Sequence, residues 1–259
     1  MKPEASREHR FPRTEHERLI RGDGCYSDDR SSPGQAAAVF VRSPHAHARI
    51  SAVELEVARQ APGVVAVLTV DDMDEAGVQN ISAPPPLVGR GGRKLVVPLR
   101  PALARDRVLH VGQPVLLVVA DSAAAAEDAA ELAVIDYEGL PSVTVTAAAL
   151  EPGAPQLWPE ASGNVAIDWP GPVPDEANEA EVERILGESP HRVRFTALNQ
   201  RLAGAPLEPR SATAAFDAAS GRYTLRCGSQ GAGSLRGQIA SAMGVEAGLI
   251  RVLTDDVGG

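Results

Sequence analysis

The chain has 259 residues, of which 44% are hydrophobic, 23% are charged and 3% are aromatic, and its formal net charge is −9. This composition is typical of a globular protein. It excludes wholesale disorder and a collagen-like chain, and the presence of only two cysteines, Cys25 and Cys227, argues against a disulfide scaffold. The acidic balance argues against nucleic acid as a partner, because nucleic-acid-binding proteins need a basic face. No stretch of 18 apolar residues occurs and the N-terminus lacks the apolar core of a signal peptide, so we expect a cytoplasmic protein without membrane contact.

The first third of the chain alternates short apolar runs with loops. Residues 1–32 are polar and charge-balanced, which predicts a strap over another surface. Three apolar runs predict strands, the first of them buried, at residues 36–42, 50–57 and 64–70. The acidic run 71–75 indicates a short helix, and the Gly- and Pro-rich residues 77–101 indicate an extended loop.

The clearest predicted unit follows at residues 107–143. A strand ends near Ala120, Ser122 is a candidate N-cap, and the alanine-rich run 123–133 is a strong helix former. A second strand, 134–143, contains a turn at Gly139–Pro141. Strand, helix and strand at this spacing indicate either a βαβ unit or a split α+β unit.

A proline-rich break at residues 151–175 predicts a domain boundary near 150–165. The acidic stretch 171–190 predicts a short, solvated helix. The remaining pattern is again α+β. It predicts a strand at 191–202, a hairpin at 211–227, a helix with Leu235, Ile239 and Met243 on one face, and a last strand at 249–256.

Few residue patterns indicate chemistry. His45 and His47 have no third ligand nearby, so loop packing is the better interpretation than a metal site. The run GRGG at 89–92 lacks the spacing of a phosphate-binding loop. Glu208 and Arg210 flank Pro209 and indicate a structural ion pair or a loop clamp.

The run SQGAGS at 229–234 is the most informative pattern, since a glycine-containing loop enters a helix there. Helix N-termini present free N–H groups and the positive end of a dipole, which favour anions and oxo groups. Gln230 could donate an amide hydrogen to such a group. The alternative is a flexible turn with a helix cap.

Several motifs together, in this order and spacing, resemble the N-terminal part of the molybdopterin-binding large subunit of molybdenum hydroxylases. This family contains xanthine dehydrogenases, aldehyde oxidases and aerobic carbon monoxide dehydrogenases. The first motif is R-x-E-x-x-R-L-I-R-G-x-G-x-Y-x-D-D at residues 13–29. The others are VRSPHAHARI (41–50), APGVVAVLT (61–69), VGQPV (111–115), AEDAAELAVIDYEGLPSV (126–143), NQRLAGAPLEPR (199–210), SQG (229–231) and DVGG (256–259).

The resemblance implies an α+β fold: an N-terminal extension (1–19), an α/β hammerhead domain (20–147), a linker (148–165) and the incomplete first part of a molybdopterin-binding domain (166–259). In the family, the glutamine of the SQ motif approaches the molybdenum oxo ligand, and the motif that opens with the last two glycines contacts the cofactor region. The resemblance therefore implies cofactor-binding roles for Gln230, Gly231, Gly258 and Gly259.

The family's catalytic glutamate, most of its pterin contacts and its substrate-selecting loop lie near the C-terminus of the full subunit, outside these residues. We therefore assign no catalytic residue and no metal ligand, and we expect a truncated oxidoreductase subunit that is inactive alone and does not retain the molybdenum cofactor. Its implied partners are the remaining C-terminal part of the large subunit and FAD-binding and 2Fe–2S subunits. The alternative hypothesis is a non-catalytic remnant or interaction module that uses the hammerhead surface.

Overall fold

The computed structural model describes residues 14–81, 85–171, 176–200, 202 and 204–259. The chain divides into two compact units. Of the described residues, the larger unit contains those within 34–203 and 241–244, and the smaller unit contains those up to Pro33 and those within 204–240 and 245–259. Both units combine helices with antiparallel strands, and the smaller one adds a parallel pair, so the predicted α+β class is confirmed.

The helices of the described residues are α1 (His16–Ile20), α2 (Glu56–Arg59), α3 (Val70–Glu75), α4 (Ala123–Glu131), α5 (Glu176–Glu188) and α6 (Ala232–Met243). The strands are β1 (Ala37–Arg42), β2 (Ala48–Glu54), β3 (Val64–Leu68), β4 (Arg107–Val108), β5 (Pro114–Ala120), β6 (Val134–Gly139), β7 (Ala212–Asp217), β8 (Arg222–Cys227) and β9 (Ile250–Leu253). No helix among these residues is long and apolar enough to cross a membrane.

Two three-stranded antiparallel sheets form the larger unit. The first has the order β1-β5-β3 and the second has the order β4-β2-β6. The strands β5 and β6 flank α4 in sequence but lie in different sheets, which decides for the split α+β arrangement over a parallel βαβ unit. Ser122 caps α4 as predicted, since its Oγ accepts a hydrogen bond from the N–H of Ala125 at 3.3 Å.

The core of the larger unit lies around the central strand β5, whose Leu116 and Val118 are at most 1% exposed. Ala48 and Val108 of the second sheet and Ala129 of α4 belong to the same apolar cluster. Two predictions need correction here. The strand β1 is only alternately half-buried, because successive side chains of a strand point to opposite faces of the sheet and only one face of β1 packs against the core. The strand predicted over 50–57 ends at Glu54, since Val57 lies in α2.

The strand predicted over 191–202 is wrong for the described residues of that range, which have no regular structure. The alternation of Val193 and Phe195 is typical of a strand, but a strand also needs a neighbour for its backbone hydrogen bonds. No such neighbour lies beside this segment within the described chain, and these two side chains are 93% and 81% exposed. The acidic helix α5 before it is surface-exposed, as predicted, and longer than expected.

The smaller unit is built on a sheet of order β7-β8-β9. The hairpin β7–β8 is antiparallel and turns at Ser220–Gly221 as predicted, where Gly221 takes a φ of 66° that suits glycine. After α6, the chain returns as β9, which pairs in parallel with β8. Leu235, Ile239 and Met243 on α6 are each half-buried, as expected for one face of an amphipathic helix.

Candidate cofactor site

The parallel pairing of β8 and β9 determines which loops meet in the smaller unit. Tyr223 pairs with Ile250 and Arg226 pairs with Leu253, so both strands end at the same edge of the sheet. The loop 228–231 follows β8 at that edge, and residues 254–259 follow β9. Two motifs that are far apart in sequence therefore leave the sheet side by side, at the position where α/β sheets bind ligands.

The loop 228–231 leads directly into α6, and its backbone is fixed by serine side chains. Ser229 Oγ accepts a hydrogen bond from the Gly231 N–H at 3.0 Å, and Ser234 Oγ donates to the Gly231 carbonyl at 2.9 Å. A Cβ on Gly231 would lie 2.8 Å from Ser234 Oγ, so glycine permits this arrangement. Gln230 is exposed, and its side chain makes no hydrogen bond with the described residues.

The segment after β9 is held by two ion-paired carboxylates. Arg18 donates two hydrogen bonds of 2.6 Å to the Asp256 carboxylate, which also accepts the Cys25 N–H at 2.7 Å. The Asp256 N–H in turn donates to the Cys25 carbonyl at 3.1 Å. The Arg18 hydrogen bonds, followed by the Cys25 hydrogen bond, lower the pKa of Asp256 to about 2. The residue before it, Asp255, contacts Arg226 at 2.5 Å.

Glu208 connects the end of this segment with the start of the hairpin. Its carboxylate accepts a hydrogen bond from the Gly258 N–H, and the neighbouring Leu207 N–H donates to the Gly259 carbonyl at 2.7 Å. No ion pair joins Glu208 to Arg210 in the described structure. Of the two interpretations of this motif, the loop clamp is the correct one.

The pKa of Asp256 gives a testable pH dependence. A carboxylate with a lowered pKa stabilises the folded form above its ordinary value of 3.8, and this contribution is lost as the pH falls toward about 2. We expect the amide resonance of Cys25 in an NMR titration to stay constant between about pH 5 and pH 3. The variant Arg18→Ala should show a titration in that window, because it lacks the main cause of the shift. A wild-type midpoint near 4 would contradict the assignment.

The structure places the predicted site residues in two neighbouring segments, with Gln230 and Gly231 in one and Gly258 and Gly259 in the other. Sequence reasoning missed the ion pair that holds the second segment. Arg18 and Asp256 both lie in motifs quoted above, but they are 238 positions apart, so nothing local indicates that they pair.

His45 and His47 of the larger unit serve packing, as expected. His47 is buried and its Nδ1 lies 2.7 Å from the Pro141 carbonyl oxygen, which ties the loop after β6 to the start of β2. The ring of His45 packs against Tyr137 with centroids 4.8 Å apart. Burial raises the pKa of the Tyr137 hydroxyl. Among the described residues, no group of three or more His, Cys, Asp or Glu could hold a metal ion.

The glycine-rich run 89–92 is a structural loop. The Arg90 guanidinium contacts Glu179 at 2.6 Å and Asp168 at 3.4 Å, while Gly91 and Gly92 adopt φ values of 63° and 72°. The positive charge of Arg90 is therefore paired with acidic side chains of the same unit. In addition, the loop does not lead from a strand into a helix. The structure therefore gives no support for phosphate binding there.

Two family models match the chain. Residues 21–141 match the aldehyde oxidase and xanthine dehydrogenase a/b hammerhead domain, and residues 163–259 match the molybdopterin cofactor-binding domain. Among curated proteins, the nicotine 6-hydroxylase large subunit of Paenarthrobacter nicotinovorans is 33% identical over 96% of this chain and 29% of its own length. The carbon monoxide dehydrogenase large chain of Hydrogenophaga pseudoflava is 29% identical over 95% of this chain and 30% of its own.

The solved structures agree with these matches. Quinoline 2-oxidoreductase from Pseudomonas putida 86 superposes with a TM-score of 0.77 and 30% identity, over 96% of this chain and 30% of that one. The chain thus spans about 30% of the length of the relatives that it matches. With both domain models matched in order and the same fold in the solved enzymes, the chain belongs to the family of molybdenum hydroxylase large subunits, and it carries the hammerhead domain and the start of the molybdopterin-binding domain.

Proposed function

We propose that this chain is the N-terminal part of a molybdopterin-dependent hydroxylase large subunit, and that it supplies a scaffold and one wall of the cofactor site. The observation that carries the proposal is the meeting of residues 228–231 and 254–259 at the ends of two adjacent parallel strands. Gln230 is exposed at that edge, ahead of the free N–H groups of α6.

The residues of this wall fit a ligand that carries phosphate and oxo acceptors. The first turn of α6 and the Gln230 amide offer hydrogen-bond donors, and a Cβ on Gly259 would meet nothing within 4 Å. Gly258 does not offer its N–H to such a ligand, because that N–H already donates a hydrogen bond to Glu208. When bound, the cofactor supplies the redox and oxygen-transfer chemistry, whereas this chain binds and orients it.

The proposal keeps the domain boundaries given above, namely a hammerhead domain over 20–147 and a molybdopterin-binding part over 166–259. The chain alone is proposed to be inactive and not to retain the cofactor, because the family resemblance puts the catalytic glutamate and most pterin contacts elsewhere in the subunit. Binding of the cofactor then requires a polypeptide that corresponds to the part of the relatives that this chain does not match.

The names of the relatives support the existence of partner subunits, and the family resemblance implies the cofactors that those subunits carry. One relative is a large subunit, one is a large chain, and one is subunit gamma of the 6-hydroxypseudooxynicotine dehydrogenase complex. We propose that FAD-binding and 2Fe–2S subunits assemble with the complete protein. A cytoplasmic location is proposed as well, since Cys25 and Cys227 are free thiols, as is usual in a reducing compartment.

A chimera tests the proposal. This chain replaces the matching 29% of the nicotine 6-hydroxylase large subunit, and the product is made in a host that synthesises molybdopterin. We expect the chimera to contain molybdenum and pterin near the level of the parent, while this chain alone stays well below an equimolar amount. In the loaded chimera, Gln230→Ala should lower kcat by about 10²-fold, the effect of losing one preorganised donor.

The control is Gln238→Ala, because Gln238 is also an exposed glutamine but lies inside α6 rather than ahead of it. It should leave molybdenum content and kcat unchanged. A folded chimera without molybdenum would contradict the proposed site, and so would equal decreases in kcat in Gln230→Ala and Gln238→Ala. Equimolar molybdenum in this chain alone would contradict the division of the site between two parts of the subunit.

A further inference from the structure

We propose that Glu208 is a positioning residue that sets the separation between the Gln230 loop (228–231) and the Gly258–Gly259 segment. The proposal rests on the proposed function of these two segments as one wall of the cofactor site. Glu208 lies in the irregular stretch before β7 and is half-buried. Its carboxylate binds one segment and lies near the other, which is why it is more than a local loop clamp.

The first contact joins Glu208 to Gly258. The Gly258 N–H donates to the carboxylate oxygen Oε2, and the Leu207 N–H donates to the Gly259 carbonyl at 2.7 Å, so residues 207–208 and 258–259 run against each other. A Cβ on Gly258 would lie 2.7 Å from the Cβ of Glu208. This distance is too short for two carbon atoms, so glycine at 258 permits the close approach.

The same carboxylate also lies near the Gln230 loop. A Cβ on Gly228 would lie 3.7 Å from Oε1 and 4.0 Å from Oε2 of Glu208. This hypothetical Cβ position is one bond from the Gly228 Cα, so the carboxylate lies near the backbone of the first residue after β8. Gln230 is two positions further along this loop.

One side chain therefore separates two glycine-containing segments that both follow parallel strands. A hydrogen bond from an N–H to an ionised carboxylate is stronger than one to a neutral acceptor. Arg210, two positions away, makes no ion pair with Glu208 in the described structure, so the negative charge stays available for the Gly258 N–H. Groups that hold binding residues in place in this way commonly control the affinity of the site without touching the ligand.

Amide hydrogen exchange on the whole chain tests the proposal without any cofactor. We expect Glu208→Ala to raise the exchange rate of the Gly258 amide by about tenfold or more, because it loses a charge-assisted hydrogen bond. Exchange within β7 and β8 should stay unchanged. Glu208→Gln should give a smaller increase, since its amide oxygen still accepts. Glu246→Ala is the matched control, because Glu246 is an exposed glutamate of the same unit without a side-chain hydrogen bond in the described structure.

The amide resonances of residues 228–231 provide the second measurement. They should shift in Glu208→Ala and stay in place in Glu246→Ala. Unchanged exchange at Gly258, or unchanged resonances at 228–231, would overturn the proposal. So would an equal rise in exchange throughout β7 and β8, because that result indicates a general loss of stability.

The chimera separates this inference from the proposed function. There we expect Glu208→Ala to lower the molybdenum and pterin content several-fold and Glu208→Gln to lower it less. Full cofactor content in Glu208→Ala would overturn the positioning role toward the cofactor. If the wild-type chimera itself takes up no cofactor, the proposed function fails, whereas the exchange experiment still decides whether Glu208 positions the two segments.

Discussion

Replacing Leu116 by alanine is expected to lower the free energy of unfolding of the larger unit by about 3 kcal/mol. Leu116 is 1% exposed on the central strand β5, and it packs in the cluster that joins both sheets and α4. Removing its isobutyl group costs the transfer free energy of the lost methyl and methylene groups and leaves a cavity that neighbours on both sides of the strand cannot fill.

Urea unfolding followed by circular dichroism measures this effect. The matched control is Val65→Ala, because Val65 lies on the edge strand β3 of the same sheet and is 68% exposed. Val65→Ala should change the free energy of unfolding by no more than about 0.5 kcal/mol. Similar decreases in the free energy of unfolding in Leu116→Ala and Val65→Ala would show that β5 is not the centre of the core.

Removing the Arg18 side chain is expected to release the segment that carries Cys25 and Tyr26 from Asp256. The pair makes two hydrogen bonds of 2.6 Å, and the Asp256 side chain is only 17% exposed. Without Arg18, the carboxylate keeps only the Cys25 N–H among its present partners. Chymotrypsin cleavage after Tyr26 should then accelerate by about tenfold, because cleavage requires local opening of the segment.

A double-mutant cycle and a matched arginine variant make this result specific. Asp256→Asn should accelerate cleavage in the same way, and the double variant should be no more sensitive than the stronger single variant. Arg21→Ala removes a neighbouring arginine whose ion pair with Glu17 is exposed, so cleavage should change by less than about twofold. Additive effects of the Arg18 and Asp256 changes would contradict the direct ion pair.

The elements predicted best are those whose signals are local. The helix α4 follows from an alanine-rich run behind Ser122, and the hairpin β7–β8 follows from alternation around Ser220–Gly221. The segment 191–202 had an equally clear alternation without forming a strand in its described residues. Alternation predicts only which side chains could share a face, whereas a strand also needs a partner for its backbone, and the partner is not encoded in the segment.

The candidate site shows the same limit. The pattern SQG before a helix indicated Gln230, and the family resemblance added Gly258 and Gly259, yet neither showed what holds these segments in place. The sequence around Glu208 indicates an ion pair or a loop clamp, and only the contact with Gly258 decides between them.

By itself, then, the sequence determined the α+β class and most of the helices and strands, because propensity and capping are local properties of the chain. The order and spacing of its motifs determined the family resemblance. The tertiary structure alone decided that β5 and β6 lie in different sheets, that β8 and β9 bring the two glycine-containing segments to one edge, and that Arg18 pairs with Asp256. These facts depend on which distant segments share a sheet or a surface. Hydrogen bonds and ion pairs act at about 3 Å regardless of the number of residues between the partners, so sequence distance carries no record of them.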